Sequence, residues 1–208
     1  MLYRLRDNSR TARKGGLCPH RTGESERMSL RYILVQAIGL AGTALFFVSF
    51  QCLKNRNLFR AQLLSYLFYT GHLLLGAATG AVSYLINAFR SLCLGSRWAF
   101  ARKRAMGAVI CLMQVAALLL TWSGWISLLP VLANIAATIG GYTHNPRKIR
   151  IAGMAVNSPL WIIYDVIVGS CAGVLDEVIS EASMILSIVR YGWKDLDQTE
   201  EYDILKNN

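Results

Sequence analysis

The sequence predicts an all-α, polytopic membrane helix bundle: about seven transmembrane helices, arranged as two parallel three-helix repeats plus a linker helix. Three observations point there. The 208-residue chain is 54% hydrophobic and only 16% charged, against about 25% charged in an ordinary soluble domain. Between Glu26 and Asp165 it contains no Asp or Glu. A soluble surface cannot be built from such a stretch, whereas hydrocarbon surroundings explain it, because a charge there costs several kcal/mol. Lastly, the basic residues between apolar segments fall on alternate connectors, as one-sided insertion requires.

A membrane helix takes about 20 largely apolar residues. Segments of this kind run over 32–53, 61–78, 80–95, 105–122, 125–143, 151–168 and 172–190. Spans two and three are joined by Gly76-Ala77-Ala78-Thr79-Gly80, and spans six and seven by Gly169-Ser170-Cys171-Ala172-Gly173. Both are small-residue connectors suited to tight turns between antiparallel helices. Basic residues follow span one (Lys54, Arg56, Arg60), span three (Arg97, Arg102, Lys103, Arg104), span five (Arg147, Lys148, Arg150) and span seven (Arg190, Lys194). The connectors after spans two, four and six carry no Lys or Arg. The basic side is cytoplasmic by the positive-inside rule. This places the start of span one in the periplasm and the C-terminus in the cytoplasm of a bacterial inner membrane. A six-span reading would break the alternation.

The tail before Tyr32 disagrees. It holds Arg4, Arg6, Arg10, Arg13, Lys14, Arg21, Arg27 and Arg31, on the side that should lack them. It has no apolar core of its own, so it is not a cleavable signal. A native start at Met28 would remove all of these charges except Arg31, and residues 1–27 are expected not to be native.

A shift of 93 residues places Ser65 on Ser158, Gly76 on Gly169, Gly80 on Gly173, Lys54 on Arg147 and Leu75 on Val168. Spans one to three then correspond to spans five to seven, with span four as linker. The organisation that follows is a basic tail at 1–31, a first repeat at 32–95, a linker region at 96–124, a second repeat at 125–190 and a cytoplasmic tail at 191–208. Parallel repeats of this kind occur in some transporters.

The net charge of +10 does not indicate nucleic acid, because the basic residues are scattered in short clusters rather than gathered on one face. The five cysteines, Cys18, Cys52, Cys93, Cys111 and Cys171, form no C-x-x-C pair, so neither a zinc site nor a redox motif is expected. No hydrolase, phosphate-loop or dinucleotide signature is present. Catalytic residues, metals and cofactors are therefore not expected. The partners are membrane lipid, a small-molecule substrate and further copies of the chain.

Ionisable groups within a span face the bundle interior and mark function. His72, Arg90, Asp165 and Glu181 form the expected intramembrane charge network, with His72 and Asp165 on equivalent repeat positions. Arg90 lies about 15 Å beyond Gly80 and Glu181 about 12 Å beyond Gly173. The similar depth predicts an Arg90–Glu181 pair, with Glu177 one turn above as second choice; the competing reading is that Arg90 snorkels to the headgroups. Pro130 and Pro159 each free a backbone carbonyl, permitting a kink or hinge in spans five and six. Trp98, Trp122, Trp125 and Trp193 read as interfacial belts.

The run Gln62-Leu63-Leu64-Ser65-Tyr66, with His72, Leu75-Gly76-Ala77, Gly80-Ala81 and Asn87-Ala88-Phe89-Arg90-Ser91, resembles the YgjV family of bacterial inner membrane proteins over about residues 33–195. That resemblance implies a location rather than an activity. More distantly, Asn157-Ser158-Pro159-Leu160-Trp161-Ile162-Ile163-Tyr164 is similar to the sixth helix of SWEET-type transporters and their PQ-loop relatives. The resemblance implies a three-plus-one-plus-three plan and substrate contacts at Asn87, Asn157 and Trp161. It departs at the seventh helix, where Asp176, Glu177 and Glu181 stand in place of an asparagine, and the Pro-Gln pair is missing. Glu177 joins the expected substrate contacts, and a neutral sugar fits poorly. The expected function is carriage of a small solute between the two repeats. The alternative is a non-transporting scaffold or assembly partner, which would bury its polar groups in direct pairs and leave no cavity.

The topology predicts that reporter fusions after Thr79, Ser123 and Ser170 read as periplasmic. Fusions after Arg60, Arg104, Arg150 and Asn208 should read as cytoplasmic. A cytoplasmic signal at Ser123 would remove the seven-span arrangement.

Overall fold

The computed structural model describes residues 37–69, 78–168 and 171–197. Every regular element among them is helical. Helix α1 is described over 37–50. It is followed by α2 (Asn55–Tyr69), α3 (Ala78–Gly95), α4 (Arg104–Leu120) and α5 (Leu128–Gly141). A rod then runs through α6 (Pro146–Ala152), a π-turn (Gly153–Asn157) and α7 (Ser158–Val168), and α8 (Cys171–Tyr191) returns. Short 3-10 turns at Phe100–Arg102 and Trp125–Ser127 lead into α4 and α5.

The boundaries differ from the hydropathy reading for local reasons. The sixth helix was expected to begin at 151 but begins at Pro146, because Asn145 caps it. The Asn145 side chain accepts from the N–H groups of Arg147 and Lys148 at 3.0 and 3.1 Å, and Pro146 sits at the first position, where no N–H is missed. Arg147, Lys148 and Arg150 are thus helical, not loop, residues. Pro159 cannot donate to the carbonyl four residues back, and the helix widens into the π-turn just before it. Pro130 does not interrupt α5. That proline stands in the first turn of α5, where its lack of an N–H costs nothing. Among the described residues no helix is long and apolar enough to cross a membrane, so the seven expected spans are not matched one for one. The 3-10 turn before α5 shortens one, and Asp176, Glu177, Glu181 and Arg190 interrupt the apolar run of α8.

The packing places α2 along α3, α7 along α8, and α4 against both α3 and α5, which also touch each other. An apolar core of Phe50, Leu58, Phe59, Ile86, Leu94, Ile110, Tyr142, Ile149 and Met184 joins them. The distribution of polarity is inverted relative to a water-soluble domain. Asn55, Gln62, Asn87, Arg90, Gln114, Asn134, Arg150 and Asp165 are buried, whereas Leu112, Leu119, Leu120, Ile139, Val166 and Val189 stand exposed. Trp98, Trp122, Trp125 and Trp193 are exposed near helix ends.

Arg150 ties the ends of α1, α6 and α8 together. It is fully buried. Its Nε donates to Ser187 Oγ at 2.8 Å, and its terminal nitrogens donate to the carbonyls of Pro146, Phe50 and Cys52 at 3.0, 2.7 and 3.1 Å. Alongside, Gln51 Nε2 donates to the carbonyl and hydroxyl of Ser183 at 2.9 and 3.0 Å, and Tyr191 donates to the Gln51 carbonyl at 2.5 Å. Close helix contact is possible because residue 153 is glycine: a Cβ there would collide with the Met184 sulfur.

Removing a buried donor of this kind strands its acceptors, so Arg150→Ala should cost about 3 kcal/mol or more. Arg150→Lys should recover only part of that, because an ammonium cannot span the four acceptors. Denaturant titration of the purified protein checks both. Equal stability of Arg150→Ala and the parent would show that the tie is dispensable.

Candidate functional site

A cavity lies among α1, α2, α3, α5, α6, the π-turn, the start of α7 and α8. It is lined by Phe46 and Phe50, Phe59, Gln62 and Tyr66, Arg90, Ala137, Ile149, Gly153, Asn157, Ser158, Ser180 and Met184. The empty space is about 410 Å3, its open mouth included. Local helical geometry explains the lining. Gln62 and Tyr66 are four residues apart and share a face of α2. On α8, Ser180, Ser183, Met184 and Ser187 repeat at three and four residues, giving a buried, mostly small face. The π-turn presents Gly153 and Asn157 from the rod.

Arg90 is 3% exposed and is held from three sides. One terminal nitrogen donates to Tyr66 Oη at 3.1 Å; the other reaches the Asn134 carbonyl and Thr138 Oγ1 at 3.4 and 3.5 Å. The Arg90 guanidinium carbon also lies 6.0 Å from the Tyr66 ring centre, within cation–π range. A polar seam continues from Asn134: Asn87 Nδ2 donates to Asn134 Oδ1 at 2.9 Å, and Gln114 Nε2 donates to Asn87 Oδ1 at 3.3 Å. Gln62 Oε1, Arg90 Nε and Ser180 Oγ are buried without a hydrogen-bond partner among the described residues. All three residues line the cavity.

Next to Tyr66 runs a row of aromatic rings. Phe46 meets Tyr66 edge-on at 5.3 Å, Tyr84 lies 6.3 Å from Tyr66, and Tyr69 and Trp161 stack on Tyr84 at 5.4 and 5.8 Å. This row crosses from α1, α2 and α3 to α7. Tyr69 donates a short hydrogen bond to Asp176 and meets Thr43 Oγ1 at 3.0 Å. Asp165 is buried against residue 173, where any Cβ would strike its carboxyl group.

These positions revise several expectations. The Arg90–Glu181 pair does not form: neither Glu181 nor Glu177 is among the partners of Arg90. Glu181 follows Ser180 by one position, about 100° around the helix, which turns it off the buried face. Snorkelling is also overturned, since Arg90 is buried inside the bundle. Asn87 does not line the cavity; both ends of its amide are used to join α3, α4 and α5. Trp161 is buried in the aromatic row rather than on the cavity wall. Glu177 does not line the cavity either, and lies near Asp165, Asp176 and Glu181. Asn157 and Arg90 do line it. His72 lies outside the described residues.

Sequence reasoning missed Gln62, Tyr66, Ser180 and the clamp at Arg150. The serine spacing on α8 and the amide in span two were the available signals; nothing in the sequence marked Arg150 as different from its basic neighbours.

Neither a curated protein nor a solved structure matches the chain. The family model for Imp-YgjV, bacterial inner membrane protein, matches residues 33–194. The chain, which buries many polar side chains beside its apolar core and exposes large apolar ones, belongs to the Imp-YgjV family of bacterial inner membrane proteins.

Proposed function

We propose that this protein is a multi-pass carrier that moves a small solute across the bacterial inner membrane, with its site between two three-helix halves. The observation that carries the reading is the cavity. Its walls come from α1, α2 and α3 on one side and from α5, α6, the π-turn, the start of α7 and α8 on the other. Three buried polar atoms of its lining residues lack partners among the described residues. A scaffold has no use for a polar cavity, whose groups cost stability wherever packing leaves them unpaired. A carrier needs one, because a solute must exchange hydrogen bonds with water for hydrogen bonds with the site.

The membrane arrangement rests on the inverted polarity. Exposed leucines and isoleucines suit acyl chains, and polar groups turned inward satisfy one another. The rod from Pro146 to Val168 reaches about 34 Å at 1.5 Å per residue, comparable with a hydrocarbon core of about 30 Å. The 3-10 turns and exposed tryptophans at the helix ends extend the shorter helices into the interfaces. In this arrangement the basic connectors face the cytoplasm and the start of α1 faces the periplasm. The π-turn supplies the irregular backbone that transporters place beside a substrate site.

Reconstituted full-length protein should take up at least one solute from a metabolite panel above protein-free vesicles. Ala137→Trp, which fills the cavity from α5, should reduce that uptake at least about tenfold while still inserting. Uptake equal to empty vesicles across the panel, or full activity in Ala137→Trp, would contradict a site at this place.

A further inference from the structure

The chemistry of the cavity specifies a class of solute, given that the cavity is the carrier site. A guanidinium cannot be deprotonated in a protein, so Arg90 brings a full positive charge into the wall. Its terminal nitrogens bind only neutral acceptors: a phenol, a carbonyl and a threonine hydroxyl, two of them at 3.4 Å or beyond. Its Nε is buried without a hydrogen-bond partner among the described residues. Neither Glu181 nor Glu177 bonds to it, although both helices that would carry such a pair pass the cavity. A buried charge normally has an opposite charge beside it, because desolvation is otherwise uncompensated. Arg90 has the cavity beside it instead.

The other cavity groups fit the same occupant. Ser180 Oγ is buried without a partner among the described residues and the Asn157 amide shares the wall, whereas the Ser158 hydroxyl is engaged by Glu177 and the unpartnered Gln62 Oε1 is an acceptor that suits a hydroxyl beside the anionic group, as in lactate. Hydroxyl and amide N–H groups donate to an anion as readily as to a neutral solute. Phe46, Phe50, Phe59 and Met184 line the remainder, a surface for a short apolar tail. The enclosed part of the cavity has room for about two to three waters, the bulk of a carboxylate group.

We propose that the solute is a small carboxylate whose anionic group binds Arg90, with Nε as the donor reserved for it. Charge-assisted hydrogen bonds to such a group are roughly twice as strong as neutral ones, so the site discriminates an acid from its amide.

The test compares acetate and lactate with acetamide and lactamide, which match them in shape and lack the charge. The full chain is reconstituted in phosphatidylcholine vesicles, so that no anionic lipid competes. Uptake and binding should favour each acid over its amide at least about tenfold. Arg90→Lys should keep the preference and Arg90→Gln should abolish it. Where Arg90→Gln fails to fold, the parent and Arg90→Lys still decide. Equal handling of acid and amide by the parent overturns the proposal. So does a preference that survives in folded Arg90→Gln. Transport of a neutral solute alone, such as glycerol or glucose, overturns the carboxylate while leaving the cavity as the carrier site. Absence of uptake for every solute removes both.

Discussion

A guanidinium buried between two groups of helices sets the terms for the rest of this bundle. Arg90 on α3 must find acceptors that water no longer supplies. It reaches Tyr66 on α2 and Asn134 and Thr138 on α5, so three helices are held at fixed distances by one side chain. The seam through Asn87 and Gln114 extends that demand to α4. In the proposed membrane arrangement, with acyl chains outside, a polar group finds its partners within the bundle rather than at the surface. Interhelical hydrogen bonds in membranes average only about 0.6 kcal/mol each. Their consequence here is registry: Arg90 has few alternative partners, so the helices have few alternative packings.

Arg150 applies the same logic at one end of the bundle. Four acceptors from α1, the segment after it, α6 and α8 converge on it. The contrast between the two arginines is informative. Every nitrogen of Arg150 is occupied, and the residue reads as a structural clamp. One nitrogen of Arg90, Nε, has no hydrogen-bond partner among the described residues, and Arg90 lines a cavity. The π-turn before Pro159, where the helix widens, brings Asn157 to the cavity wall.

Much of this was legible in the sequence. The missing acidic residues and the apolar runs gave helices and an inner membrane setting, and the family match agrees on the setting. Arg90 and Asn157 were identifiable because polar groups within apolar segments are rare. The Arg90–Glu181 pair failed because rise along a helix fixes depth but not direction. A residue one step from Ser180 shares its depth and points about 100° away. Asn87 failed for a related reason: a sequence shows an amide but not the two neighbours that use it up. Pro130 broke nothing because its effect depends on its place in the helix, and α5 begins only two residues earlier. The start of α6 was readable in the Asn145-Pro146 cap; the positive charges that follow drew it into a loop.

The central claim is that the polar face of these helices is the interior and the apolar face meets lipid. Spin labels at Leu112→Cys, Ile139→Cys and Val166→Cys, with the native cysteines replaced by serine, test it directly in reconstituted vesicles. These positions lie on exposed faces of α4, α5 and α7. Their collision rates should be high with oxygen, which concentrates in acyl chains, and low with a water-soluble nickel chelate. High nickel accessibility and low oxygen accessibility at the three positions would mean that water, not lipid, surrounds the bundle, and the account would fail.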